Sequence, residues 1–418
     1  MLALVLPIGS LLIGVALLLL GGGLLNTLLA LRGGMEGFSD GTMGFVMSGY
    51  FIGFFVGIYL ALPLIRRIGH IRAFALCAAV MSCSALLHIL IVDPWAWLAF
   101  RVLTGAVLVI LYTLIESWLN GQTPAAQRGR VFATYMAVNL GSLALAQQLL
   151  QFGTPDSFVL FAVAAMLISI SLVPVTWTRM QQPEVHEVSR MKLRGLWKIA
   201  PISVAAAFLS GLAMGAFWGL TAVYGGRLGL DSAQVATMIS LAILGGAAFQ
   251  YPLGRLSDSF DRRRIILGIG AAAIVVSLIM PFFGAYVYGL WVTLFIYGGL
   301  AFAVYPVAVA YLIDHLEPNQ ILAGGSGLLL LHGIGAAIGP ALAGQLMTYT
   351  SPQALPIYFA GSWLVMVAFT ARNLLTSKDE HSDHPAPFVP MVRTTPTALE
   401  MLPEDQSEES VEVSEQPQ

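Results

Sequence analysis

Arg101 and Glu116 pose the sharpest chemical question in this sequence. Both fall in the apolar stretch 97–119, where a charge in hydrocarbon costs roughly 3 kcal/mol or more unless it is paired or hydrated. Arg101, Gly105, Leu108, Tyr112 and Glu116 recur at steps of four, three, four and four, which puts them on one stripe of a helix. From 101 to 116 the helix axis advances about 22 Å, so the two charges are no direct ion pair. They would serve opposite ends of one wet interior. The competing readings are a snorkelling anchor just inside Trp97 for Arg101, and for Glu116 an interfacial carboxylate paired with Arg128 or Arg130. Glu116 and His332 are the candidate proton carriers, although His332, like His88, also reads as a polar packing group. Cys77 and Cys83 lie six residues apart on one predicted helix and point to different faces, which predicts two reduced packing thiols and no disulfide. No set of His, Cys and carboxylates has metal-ligand spacing, so no metal and no cofactor are expected.

The elements that must position these residues are membrane spans. The chain is 57% hydrophobic and only 10% charged, with 43 glycines and a mean hydropathy of +0.81, far from a soluble average. A helix needs about 20 apolar residues to cross roughly 30 Å of hydrocarbon. That length predicts twelve spans, near 5–29, 42–65, 72–91, 97–119, 131–152, 157–177, 199–223, 233–253, 265–284, 287–312, 322–347 and 353–374. The first lacks a basic leader and reads as a retained helix rather than a signal. Loops after even-numbered spans carry fifteen Lys and Arg, and loops after odd-numbered spans only Arg32 and Arg227. By the positive-inside rule both termini are expected in the cytoplasm of an inner (plasma) membrane protein. With the basic residues confined to short loops, a net charge of −2 gives no nucleic-acid surface.

The chain is also duplicated. Residues 28–72 match residues 220–264 without a gap at a constant offset of 192, pairing Leu28 with Leu220, Gly33 with Gly225, Ser48 with Ser240, Gly53 with Gly245 and Arg72 with Arg264. Repeated bundles are how secondary transporters are built. The expected organisation is a six-helix bundle over 1–177, a polar linker over 178–198 containing Pro183, a second six-helix bundle over 199–375, and a tail over 376–418 with ten acidic and two basic residues. Such a tail cannot bury enough apolar surface to fold and is expected to be solvated.

The loop after the second span reads Leu64-Ile65-Arg66-Arg67-Ile68-Gly69-His70-Ile71-Arg72, and its repeat partner reads Gly254-Arg255-Leu256-Ser257-Asp258-Ser259-Phe260-Asp261-Arg262-Arg263-Arg264. With twelve spans in two halves, this resembles the major facilitator superfamily, whose signature here is Gly, an acid four later, then Arg, Gly and basic residues. The second copy supplies Gly254, Asp258, Arg262 and Arg263, with Asp261 where Gly is usual. The first keeps Arg67, Gly69 and Arg72 but has Leu62 and Arg66 in place of the Gly and the acid. The fourth span carries the family's Arg and Gly four residues apart, Arg101 and Gly105. The run Tyr112-Thr113-Leu114-Ile115-Glu116-Ser117, with Arg128-Gly129-Arg130, Asn26-Thr27 and Tyr305-Pro306-Val307-Ala308, resembles the YcaD-type group.

The resemblance implies an all-α integral membrane fold of twelve transmembrane helices in two pseudo-symmetric six-helix bundles. It implies that the loops around Arg67 and Asp258 latch the outward-facing state. It also implies a cavity lined by spans one, four, seven and ten, with Asn26, Arg101, Tyr112, Glu116, Ser210, Trp218, Thr221, Tyr297 and Tyr305 as pathway candidates and His332 at its border. Several buried cations would be needed for a multiply anionic substrate, and only Arg101 qualifies, so the expected solute is small and neutral, cationic or amphipathic. The fifth span lacks the Gly-Pro signature of many exporters, whereas the eleventh carries Gly335, Gly339-Pro340 and Gly344. With no phosphate-binding loop and no nucleophile constellation, the expectation is a monomeric, non-enzymatic secondary transporter working by alternating access. The proton is the leading coupling ion and export the favoured direction. The alternatives are a proton-coupled importer, an uncoupled facilitator, a membrane-embedded lipid enzyme, or a non-transporting sensor or scaffold.

Overall fold

The computed structural model describes residues 2–178, 183, 191–284, 286–376, 388, 389 and 391. The described residues form fourteen α-helices, a few short 3-10 turns and no strand. The first half comprises α1 (Leu2–Met35), α2 (Asp40–Ile68), α3 (His70–Leu90), α4 (Pro94–Gln122), α5 (Arg128–Gln148), α6 (Phe158–Ile170) and α7 (Leu172–Trp177). A short α8 (Leu193–Ile199) leads into α9 (Pro201–Arg227), α10 (Ser232–Ser259), α11 (Arg262–Ile279), α12 (Val287–Ile313), α13 (Ile321–Tyr349) and α14 (Ala354–Thr376). Short polar side chains set the starts: Ser39, Asp93 and Ser157 each accept a backbone N–H of the following turn, and Asp231 with Gln234 forms a capping box.

Eleven spans are long and apolar enough to cross a membrane, with α6 and α7 counting as one span, Phe158–Trp177, interrupted at Ser171. The predicted fifth span is the exception. It forms a helix, α5, but its polar content sets it apart, and it turns Asn139 and Gln147 into the protein, where both are buried. The predicted linker contains structure as well: α8 buries Leu196 beside Gly327 of α13, and the Met191 N–H donates to the Ala323 carbonyl at 3.1 Å.

Helix packing repeats with the duplication. In the first half α2 packs on α4, α3 on α6, and α1 on α5 and α6; in the second α10 packs on α12, α11 on α14, and α9 on α13 and α14. The two bundles then join through the reciprocal pairs α2 with α13 and α5 with α10, and through α1 and α2 against α9. Small residues make these approaches possible, as in membrane helix pairs generally. Gly53 lies on the Val102 carbonyl of α4, and its repeat partner Gly245 lies on the Phe295 carbonyl of α12, with no room for a Cβ at either. Asn26 meets Trp218, its own counterpart 192 residues on, through an Nδ2–H···O bond of 2.9 Å at the centre of the molecule.

Candidate functional site

Arg66, Arg67, Arg128, Arg130 and Arg262–Arg264 mark one end of the bundle as a basic face, opposite a far face. On the far face the halves are tied together. Arg227 Nε donates to Asp40 Oδ1 at 2.7 Å and Arg227 Nη2 to the Phe38 carbonyl at 3.1 Å, while the Gly41 N–H donates to Thr348 Oγ1 at 2.7 Å. Beneath these bonds α2 and α13 approach at Gly44 and Gly344, each too close to the other helix's backbone to admit a side chain. The α5–α10 seam is tied by Ser240, whose hydroxyl donates to the Ala144 carbonyl at 2.8 Å and accepts from Gln148 Nε2 at 2.6 Å. Arg32, the other basic residue of this face, pairs with Glu36 and donates to the Asp156 carbonyl at 2.6 Å.

Between the tied far face and the basic face lies a cavity of about 920 Å³, a volume that includes open solvent. One wall is α2, through Tyr50, Phe51, Phe54, Phe55 and Ile58. The facing wall is α9, α12 and α13, including Met214, Trp218, Phe302, Tyr305, Leu329 and His332. The lining is therefore aromatic and apolar with a few polar tips. Tyr305 packs on the His332 ring with centroids 4.5 Å apart, and His332 Nδ1 lies 3.2 Å from both Ser210 Oγ and the Ala207 carbonyl.

Arg101 lies behind this wall rather than in it. The side chain is buried, its Nη2 donates to Asn26 Oδ1 at 2.7 Å, and its guanidinium carbon is 4.7 Å from the centre of the Tyr50 ring. A second, much smaller hollow, lined by Asn26, Arg101, Thr104 and Leu108 among others, shares Tyr50 with the central cavity. Arg101 is thus neither in lipid nor at an interface, and Asn26 links it to the other half through Trp218.

The α4 stripe is inward-facing along its length, but its two ends differ. Arg101 and Leu108 border the smaller hollow, Gly105 packs on the Tyr50 carbonyl, and Tyr112 and Glu116 are fully buried. Glu116 accepts from the Tyr135 hydroxyl at 3.1 Å. Of the pathway candidates, Trp218 and Tyr305 line the cavity with His332, while Asn26 and Arg101 lie one layer behind. Tyr112, Glu116, Thr221 and Tyr297 are packed in protein, Tyr297 stacked on Phe359 at 4.8 Å. The aromatic wall of α2 is the part of the site that span-by-span expectation missed. Its signal was present: Tyr50, Phe51, Phe54, Phe55 and Ile58 follow helical spacing opposite Gly49, Gly53 and Gly57, the glycine edge that packs on α4. Both thiols are free, Cys77 buried and Cys83 exposed.

The two copies of the loop motif on the basic face differ. In the first, Gly69 caps α3 at φ 79°, Arg67 and Arg72 are exposed, and His70 Nε2 is hydrogen bonded to Ser117 Oγ of α4 at 3.0 Å. In the second, Asp261 replaces that glycine at φ −52° and caps α11 by accepting the Arg263 N–H at 2.9 Å; its carboxylate also holds the Arg263 side chain. Arg262, at the position of His70, donates at 2.7 Å to Oδ2 of Asp314, the residue that caps the C-terminus of α12, and lies 3.2 Å from Asp258 Oδ1. Asp258 also accepts the Phe388 N–H, at 3.1 and 3.3 Å, and the Phe388 ring covers Gly254. Phe388, Val389 and Met391 thus depart from the solvated tail expected from composition, and the rest of that tail lies outside the described residues.

A duplicated helical bundle with a cavity at the meeting of its halves is the way secondary transporters are built. The Major Facilitator Superfamily model matches the chain twice, over residues 11–202 and 203–400, and the chain belongs to that superfamily. The chain is 30% identical over 373 residues to a protein of Escherichia coli K12 named as the uncharacterized MFS-type transporter YcaD, covering 88% of this chain and 96% of that one. Among solved structures it is similar in fold to the nucleoside transporter NupG, with a TM-score of 0.69 at 15% identity over 89% of this chain and 100% of that one. It is likewise similar to a bacterial homologue of the lysosomal transporter Spinster, with a TM-score of 0.66 at 15% identity over 95% and 98%. These relatives and this fold are those of transporters, not enzymes.

Proposed function

We propose that this protein carries a small neutral, cationic or amphipathic solute across the inner membrane by alternating access, as a monomer with both termini in the cytoplasm. The observation that carries the reading is the central cavity between the halves, beneath a far face bonded shut by Arg227–Asp40 and Gly41–Thr348. With the basic face cytoplasmic, this is an inward-facing arrangement. The solute class follows from the walls. Tyr50, Trp218 and Tyr305 offer flat apolar bodies with polar tips, no Asp, Glu, Lys or Arg among the described residues lines the cavity, and Arg101 is screened behind Tyr50.

In this reading the outward-facing state requires the Arg227 tie to open and the basic-face loops around Arg67 and Asp258 to close. Asn26 and Arg101 sit where the halves pivot and transmit the position of α4 to α9. Coupling uses the proton, with His332 at the cavity wall and Glu116 under Tyr135 as the carriers, and the direction is export. The test is thermal stabilisation of the purified protein across a metabolite and drug panel, because a ligand of the folded state raises its stability by mass action. Uptake into proteoliposomes of each stabilising solute, with and without a pH gradient, follows. A stabilising solute that is carried supports the reading. Stabilising solutes that never cross would favour a sensor. Transport indifferent to the gradient would replace coupling by facilitation.

A further inference from the structure

We propose that the C-terminal segment around Phe388, Val389 and Met391 is a removable plug, docked in the mouth of the central cavity on the basic face. The sequence sets this segment apart: 385–392 reads Pro-Ala-Pro-Phe-Val-Pro-Met-Val, an uncharged run inside a tail with ten acidic and two basic residues. Such a run has more apolar area to bury than the charged stretches that flank it. Its three prolines also restrict the free chain, so less entropy is lost on docking. Reach is not a constraint, since the twelve residues from Thr376 to Phe388 can span about 40 Å.

Three contacts define the docking. The Phe388 N–H donates to both carboxylate oxygens of Asp258. The Phe388 ring covers Gly254, where a side chain would collide with it. Met391 is 5% exposed and forms part of the cavity lining along with Phe54, Trp218, Tyr305 and His332, while Phe388 and Val389 pack on the surrounding core. A methionine suits this place, because its flexible thioether adapts to irregular aromatic walls. The segment therefore fills space that a solute would use and bonds the acid expected to latch the outward-facing state. Docking holds the protein inward-facing and competes with the solute; undocking frees both the cavity and Asp258. The acidic flanks supply solubility to the released tail.

The docking stands apart from the transport reading, and only its effect on turnover rests on it. The test separates the two. In a full-length chain carrying Cys77→Ser, Cys83→Ser and Ile58→Cys, a membrane-impermeant maleimide is applied from the basic face. Adding Met391→Asp, which places a carboxylate among aromatic walls, is expected to speed labelling about tenfold by shifting the docked population. Phe388→Ala, a milder change, should give a smaller rise in the same direction, and Asp258→Asn should act with it. Equal labelling rates in the parent and both tail variants overturn the plug. A spin label at Val389→Cys gives the second readout: a narrow distance to a label at Arg130→Cys in the parent that broadens with Met391→Asp supports docking, and a broad distribution in the parent overturns it. If the plug is released by these criteria and no solute is carried by either chain, the transport reading fails while the docking stands.

Discussion

The two halves share a skeleton and differ in the polar groups set on it. At the α2–α4 crossing Gly53 takes the Val102 carbonyl, and at the α10–α12 crossing its partner Gly245 takes the Phe295 carbonyl. The joint between the motif loop and the fourth helix of each half diverges instead. In the first half it includes the hydrogen bond of His70 to Ser117; in the second it includes the ion pair of Arg262 with Asp314. Likewise Gly69 uses a left-handed backbone where Asp261 uses a side-chain cap. In the fourth helices Arg101 lies where the repeat offset gives Thr293, whose hydroxyl bonds only its own helix's Gly289 and Leu290 carbonyls. The difference teaches where the constraint lies. Backbone approach leaves no freedom and survives in both copies, while charges are free to specialise one half.

The largest effects should come from breaking what the halves share. Gly53→Leu and Gly245→Leu each force a side chain into backbone and should each cost about 3 kcal/mol or more, read as loss of the melting transition in detergent; if either half tolerates the change, the crossings are not equivalent. Next come the joints. Arg262→Ala removes the 2.7 Å ion pair to the buried Asp314 carboxylate and should cost about 3 kcal/mol, whereas His70→Ala should cost about 1 kcal/mol. Equal losses by thermal melting would remove the distinction between the copies. Third, Arg101→Ala should cut transport of a solute found by the stabilisation panel by roughly tenfold with insertion intact, since it removes the bond to Asn26 and the cover on Tyr50 at a cost of about 1–2 kcal/mol; Thr293→Ala should leave the rate unchanged. The smallest effect belongs to Arg227→Gln, because the Arg227 side chain is 37% exposed and such a pair is worth about 1 kcal/mol or less. Its signature is a modest rise in far-face cysteine labelling rather than a loss of stability.

Much of the fold was legible because hydrocarbon imposes a length and an apolarity on every span, and because Gly53 and Gly245 keep their register. The predicted fifth span forms a helix, α5, yet is too polar to count by hydropathy; its Asn139 and Gln147 are buried in the protein, where Gln147 accepts from Thr27 of α1, a tertiary fact. The site was harder to read for a physical reason. In a helix apolar on all sides, periodicity does not say which face meets lipid, a neighbour or a cavity. Trp218 and Tyr305 line the cavity whereas Tyr112 and Tyr297, equally aromatic, are packed away. The α2 wall depends on how closely Gly44 and Gly344 let α2 and α13 approach, which only the assembled halves reveal. The tail was judged by its average composition, which hid the longest uncharged run in it.

The central claim is that the halves separate on the far face during each cycle. The Leu31 side chain of α1 reaches Gly226 of α9 there across the two halves at ordinary van der Waals distance, so Leu31→Cys with Gly226→Cys in a chain lacking Cys77 and Cys83 brings two thiols close enough to be joined across the halves. Oxidation should abolish transport and reduction should restore it. Undiminished transport by the fully cross-linked protein would contradict the account.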